Sequence, residues 1–243
     1  EGWEVKDNKL FMIIVTVLAA IVLVLNIQKV ITNNSQTDGI KFKEEYEKLN
    51  GKKNDQGKKY REITIDSKNK IVYKTTEEVL DLIDKKKSFV LYFGFDTCPW
   101  CRSVVPTLAS ISKELNQEVY YIDVKDIRDT FELDDDNKPK LVKKGSKDYS
   151  KLLEKLESVL EDYTLTDSDN NEIKVGEKRI YAPSIVSVID GKAKELTTGI
   201  SDKQTDGYMK LTKEMEKETY NKIKKVLKQV SDKNNTCYLD KGC

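Results

Sequence analysis

Hydrophobic and polar positions change period several times along the chain, and each change marks an element. The stretch "LFMIIVTVLAAIVLVLNI", Leu10 to Ile27, is apolar apart from Thr16 and Asn26. A bilayer-spanning helix takes roughly 17–25 such residues, so the pattern predicts a transmembrane anchor over 10–27 behind a short tail, 1–9. No small-x-small site follows it, which weighs against a cleaved signal peptide; a buried core helix is the third reading. Residues 28–60 are polar and lysine-rich, and read as a stalk with a short helix near Phe42–Leu49 and a flexible loop over Gly51–Lys59.

From residue 61 the pattern is that of a folded domain. "REITID" and "KIVYKT" alternate apolar and polar, as half-buried strands do. "TTEEVLDLIDKKK" switches to helical spacing, with Val79, Leu80 and Ile83 on one face and a Thr75–Glu78 capping box at its start. "SFVLYFGF" is a nearly continuous apolar run of strand length, suited to burial on both faces. "PWCRSVVPTLASISKEL" is again helical, and "EVYYIDV" is another strand. Strand, helix, strand, helix, strand in this order implies a parallel βαβ core. An insertion over 126–178 carries an acidic loop, an amphipathic helix (Leu152, Leu153, Leu156, Val159, Leu160) and a polar turn at Asp167–Asn171. "RIYAPSIVSVIDGKAKELTTG" then reads as a hairpin around Asp190-Gly191. A long final helix has Tyr208, Leu211, Met215, Tyr220, Ile223, Leu227 and Val230 on its apolar face, and 231–243 form a tail.

Composition narrows the chemistry. The formal net charge is +1, so no global basic field points to nucleic acid. The lysine runs near the anchor read as solvated surface rather than as a lipid-binding patch. Histidine is absent, which removes His-based zinc sites, Ser-His-Asp triads and Cys-His pairs. The candidate chemistry is in "CPWC". Cys98 and Cys101 are separated by two residues at the start of a predicted helix, where the helix end favours a thiolate, the nucleophilic form of cysteine. Zinc is the rival reading, and an inert pair the third. Zinc needs two further ligands, and only the distant Cys237 and Cys243 are at hand. The weight falls on a redox dithiol that needs no metal and no cofactor.

These residues together resemble the thioredoxin superfamily: CxxC after a buried strand, Pro106 within the following helix, and "APS" at Ala182–Ser184 before the hairpin. The resemblance covers roughly Lys70–Val124 and Arg179–Val230. It implies an α/β, thioredoxin-like fold over 61–230, with the helical insertion placed before a cis-proline at Pro183 that faces the dithiol. Cys98 would attack, Cys101 would resolve, and Trp100, Ala182 and Pro183 would meet a protein substrate. The anchored version is similar to thioredoxin-like proteins of Gram-positive bacteria, some labelled bacteriocin-transport accessory proteins. Two positions depart from the family. Tyr92 stands where thioredoxins carry a buried Asp, and Pro99-Trp100 replaces the Gly-Pro of reducing thioredoxins.

The implied function is membrane-anchored, extracytoplasmic thiol–disulfide exchange on protein dithiols and disulfides, with a membrane redox partner possible; the alternative is a redox-inert adaptor of the same fold. Arg102 either adds positive potential beside Cys101 or is a solvated cation. Trp100 is either a substrate platform or a packed rim residue. Cys237 and Cys243 suggest a local structural disulfide, and a second redox pair is the sharper alternative. "DSDNNE" begins like a calcium loop but lacks the required Gly and Glu, so it reads as a turn.

Overall fold

The computed structural model describes the backbone of residues 4–240 and the side chains of residues 11–24 and 38–235. A first helix, α1 (Glu4–Glu47), leads into β1 (Ile71–Tyr73), α2 (Thr76–Asp84), β2 (Phe89–Gly94), α3 (Pro99–Glu114) and β3 (Val119–Asp123). Two small hairpins follow on either side of α4 (Lys147–Leu156): β4 (Thr130–Leu133) with β5 (Pro139–Lys143), and β6 (Glu161–Thr166) with β7 (Glu172–Arg179). The chain closes with β8 (Ser184–Ile189), β9 (Lys192–Thr197) and α5 (Lys213–Asp240).

The central sheet has the order β1-β3-β2-β8-β9. β1, β3 and β2 run parallel, and β8 and β9 are added antiparallel. β2 lies in the middle with all six residues buried, which is why its sequence does not alternate. Its odd and even side chains enter different cores. Val90 and Tyr92 face α3, α5 and the end of α1, whereas Phe89, Leu91 and Phe93 face α2 and α4. The result is a three-layer mixed α/β domain with helices on both faces of one sheet.

Local signals act as expected at two boundaries. Thr75 and Glu78 form a reciprocal capping box that satisfies two orphan N–H groups of α2. Asp190 and Gly191 both take positive φ, 51° and 75°, the geometry a two-residue hairpin turn demands. A Cβ at Gly191 would also fall 2.4 Å from the Ile83 carbonyl.

Several expectations need correction. "REITID" is not a strand. Ile63 and Ile65 are buried, so the alternation reports burial, but their N–H groups are taken by side chains of α1 and its following turn: Asn50 Oδ1 at 3.1 Å and Glu47 Oε1 at 2.7 Å. The second half of the expected stalk belongs to the domain, because Phe42 and Tyr46 are fully buried against Tyr73, Tyr92 and Tyr121. The start of the domain therefore moves from 61 back to about residue 38, where Asp38 accepts the Tyr73 N–H at 3.1 Å. The acidic loop of the insertion is the tip of β4–β5, and Asp167–Asn171 is the tip of β6–β7. The last helix begins at Lys213, so Tyr208 and Leu211 precede it.

The expected span over 10–27 lies partly outside the residues whose side chains are described. Among the described residues no helix is long and apolar enough to cross a membrane. The side chains of residues 11–24 are all exposed, Phe11, Leu18 and Leu23 by more than half.

Candidate functional site: a buried dithiol at a helix N-terminus

Cys98 ends the loop after β2 and is itself the N-cap of α3. Its backbone is extended, with φ −74° and ψ 117°, and its Sγ accepts the Cys101 N–H at 3.2 Å. Sulfur thus takes the place an oxygen fills in an ordinary cap, satisfying one of the orphan donors. Pro99 occupies the first helical position, where its missing N–H costs nothing. Cys101 lies one turn inside. Both thiols are free, with residue exposures of 4% for Cys98 and 0% for Cys101.

The two sulfurs have opposite electrostatics. The hydrogen bond from the Cys101 thiol is the largest influence on Cys98 and lowers its pKa below the ordinary thiol value. Burial opposes this. The Cys101 and Trp100 N–H groups and the charge of Arg128 reinforce it. Burial, aided by the neighbouring Cys98, pushes Cys101 well above the ordinary value. One proton shared by two close sulfurs therefore stays on the inner one.

Opposite the dithiol, the Ala182–Pro183 peptide bond is cis, and the Cys98 thiol lies 3.5 Å from the Ala182 carbonyl. Cys98 opens into a cleft of about 380 Å³, whose walls include Trp100, Ala182, Arg128, Arg179, Tyr163 and Tyr181. Trp100 is half-buried: it lines this cleft and also packs on the core. Pro183 is buried beneath Ala182.

Behind Cys101 the interior is built from tyrosines. The Tyr92 hydroxyl faces Cys101 and works against the rise that burial causes in its pKa. A Cβ at Gly94 would lie 2.2 Å from that hydroxyl and 3.2 Å from Cys101 Sγ, so only glycine leaves the two room to meet. Tyr92 Oη is 3.1 Å from Tyr46 Oη, and the Tyr92 ring stacks on Tyr121 at 5.4 Å. Tyr121 and Tyr73 both donate to Glu45, at 3.1 Å and 2.6 Å. Burial raises the pKa of Tyr92 and of Tyr46, which keeps both phenols neutral beside the thiol. At the position where the resemblance implies an acid, this chain puts a neutral phenol hydroxyl.

Arg102 is neither a solvated cation nor a contributor to the cleft. It is fully buried and points away to clamp three segments. Its Nη1 donates to the Tyr46 carbonyl at 2.6 Å, its Nη2 to the Arg61 carbonyl at 2.6 Å and to Asn50 Oδ1 at 2.9 Å, and its Nε also to the Arg61 carbonyl. A weaker bond reaches the Asp96 carbonyl in the loop before Cys98.

The structure thus brings Cys98, Cys101, Trp100, Ala182 and Pro183 together. Cys237 and Cys243, with their expected disulfide, lie outside the described side chains. Among the described residues no cluster of three or more Cys, Asp or Glu is arranged to hold a metal. Sequence reasoning passed over Arg128, Arg179, Tyr163 and Tyr181, which the insertion and its exit deliver to the cleft, and over the Tyr46–Tyr121–Glu45 group. Arginine scarcity was an available signal: the chain has four among 43 basic residues. No protein-family model matches the chain, and no curated protein is significantly similar to it.

Proposed function

We propose that the chain is a thioredoxin-like thiol–disulfide oxidoreductase acting on protein dithiols and disulfides. The observation that carries this reading is the inequality of the two thiols: a nucleophilic Cys98 capping α3 at the floor of a cleft, and a protonated Cys101 directly behind it. Neither an inert pair nor a structural one needs its thiols so different.

The exchange follows from the geometry. The Cys98 thiolate attacks one sulfur of a substrate disulfide; that S–S bond breaks, a mixed disulfide forms, and the departing sulfur leaves as a thiolate that takes a proton. Cys101 gives up its proton and attacks Cys98 Sγ. The mixed disulfide breaks, the second substrate thiol is released, and the chain holds a Cys98–Cys101 disulfide. Two electrons pass from the dithiol to the substrate, and the reverse sequence oxidises a substrate dithiol. The Cys101 N–H, which already bonds Cys98 Sγ, favours that sulfur whenever it carries charge.

The anchoring part of the proposal rests on the exposed apolar side chains of residues 11–24, a run that water does not favour. The one hydroxyl among them, on Thr16, donates to the Ile13 carbonyl at 2.8 Å and so needs no water. In our reading the domain from about residue 38 lies outside the cytoplasm, because protein disulfides persist there.

Trapping tests the reading. Cys101→Ser should accumulate mixed disulfides between Cys98 and substrate proteins, released by reductant, and Cys98→Ser should trap almost none and lose exchange activity. Absence of both trapping by Cys101→Ser and exchange by the wild-type chain would replace the enzyme with an adaptor of the same fold.

A further inference from the structure

The four arginines of the chain divide into two pairs. Arg61 and Arg102 spend their guanidinium groups on backbone carbonyls inside the domain. Arg128 and Arg179 line the cleft at Cys98 and are far less committed. Arg128 Nη1 reaches the Ile180 carbonyl at 3.5 Å, and Arg179 Nη1 reaches the Asp129 carbonyl at 3.4 Å, both at the long limit. Arg128 Nε is buried with no hydrogen-bond partner; Arg61 Nε shares that state, but Arg61 Nη2 has two carbonyl acceptors, of Gly207 and Met209. Each guanidinium has five N–H donors to place.

Neither arginine has an ion-pair partner among the described residues. The acid next in sequence, Asp129, turns its carboxylate inward, where neither oxygen has a hydrogen-bond partner. The two guanidiniums are close enough that the charge on Arg179 disfavours the charge on Arg128. Aromatic faces hold them in place: Arg179 lies 3.8 Å from the Tyr163 ring centroid, and Arg128 lies 5.4 Å from that of Phe95. Two half-buried cations fixed side by side on aromatic walls, without a carboxylate between them, favour an anion from outside.

In the resting protein the charge on Arg128 favours the negative charge of the Cys98 thiolate. Attack on a disulfide consumes that charge, because the mixed disulfide is neutral. A carboxylate on the substrate would restore it at the moment the bond forms. The cleft volume, about 380 Å³, is near the low end of the range for ligand pockets, about 300–1,000 Å³. It suits a side chain with its flanking backbone better than a large cofactor.

We propose that Arg128 and Arg179 form a subsite for an acidic side chain, Asp or Glu, that flanks the reacting cysteine of a substrate polypeptide. The proposal rests on the oxidoreductase reading for its reaction, but the binding it describes can be measured without any exchange.

Two disulfide-bonded peptides differing only in Asp or Asn beside the cysteine would be presented to the full chain. The Asp peptide should exchange about tenfold faster in kcat/KM, as one charge-assisted pair allows. The advantage should shrink as salt is raised. Arg128→Gln and Arg179→Gln should each pull the Asp/Asn ratio towards one, whatever they do to the absolute rate. The same two peptides with Ser in place of the reacting Cys would be titrated calorimetrically into the wild-type chain. Tighter binding of the Asp form supports the subsite even if neither disulfide peptide is turned over, a result that would count against the oxidoreductase reading alone. Equal rates and equal binding of the Asp and Asn forms by the wild-type chain would overturn the subsite, and turnover of both would leave the oxidoreductase reading standing. Both peptide comparisons use the unaltered protein, so misfolding of either arginine variant would not rescue the proposal.

Discussion

At Cys98, one sulfur is the cap of a helix, an acceptor for the Cys101 N–H and thiol, and the floor of the cleft. The cap and the two hydrogen bonds favour negative charge at this atom, and they outweigh the burial that opposes it. A pH profile follows with a definite sign. Only the thiolate attacks, so the alkylation rate of Cys98 should rise with pH and level off above its pKa, with a midpoint below the ordinary thiol value of 9.0. Cys101→Ala removes the largest influence that lowers this pKa, so the midpoint should move up. Iodoacetamide kinetics between pH 5 and 10, with Cys237 and Cys243 changed to Ser, would read it. A midpoint that stays put or falls would show that the helix end, not the inner thiol, controls Cys98.

Among the elements, the end of α1 has the largest part that its composition hides. Phe42 and Tyr46 enter the core beside the sheet, Gly39 lets the Asn69 loop approach, and Asn69 donates to the Gly39 carbonyl at 2.9 Å. Arg102 on α3 ties the segment down through the Tyr46 carbonyl and Asn50, and holds the Arg61 carbonyl with the same group. Arg102→Leu would fill similar space but strand these acceptors, each at a cost of about 1–3 kcal/mol. Urea denaturation should show a loss of about 3–5 kcal/mol, the range for breaking one side of a buried charged network. A loss below about 1 kcal/mol would mean that water replaces the guanidinium there.

For the whole molecule, the division is between an apolar N-terminal helix segment and a highly charged domain, 35% Asp, Glu, Lys and Arg over the full chain. Ion pairs such as Lys224–Glu114 and Lys155–Asp84 cover the surface of that domain and are worth little individually. If the apolar segment anchors the chain with the domain outside, as proposed, protease added to intact cells stripped of their wall should digest the domain and leave the segment with the membrane. Complete protection would put the dithiol on the cytoplasmic side, and reversal of the topology would then change the redox pool available to it.

Much of the sheet and its helices could be read from the chain, because the signals concerned are local. The capping box at Thr75–Glu78, the unbroken apolar run of β2, the Asp190-Gly191 turn and the placing of Cys98 before α3 each depend on residues within one or two turns of one another. Their spacing determined secondary structure and the dithiol together. Spacing could not say which distant groups would meet. The alternation of "REITID" recorded burial of Ile63 and Ile65, but a helix supplied the hydrogen-bond partners a neighbouring strand would have given. The strands of the two small hairpins alternate only briefly, with Phe131 and Leu133, Tyr163 and Leu165, and Ile173 and Val175 as apolar pairs among charged residues, so pairing within each hairpin defines them. Arg102 went into the core and Arg128 and Arg179 into the cleft, although all three carry the same side chain. That choice depends on which carbonyls, rings and sulfurs the fold brings within reach, and only tertiary packing creates those neighbours.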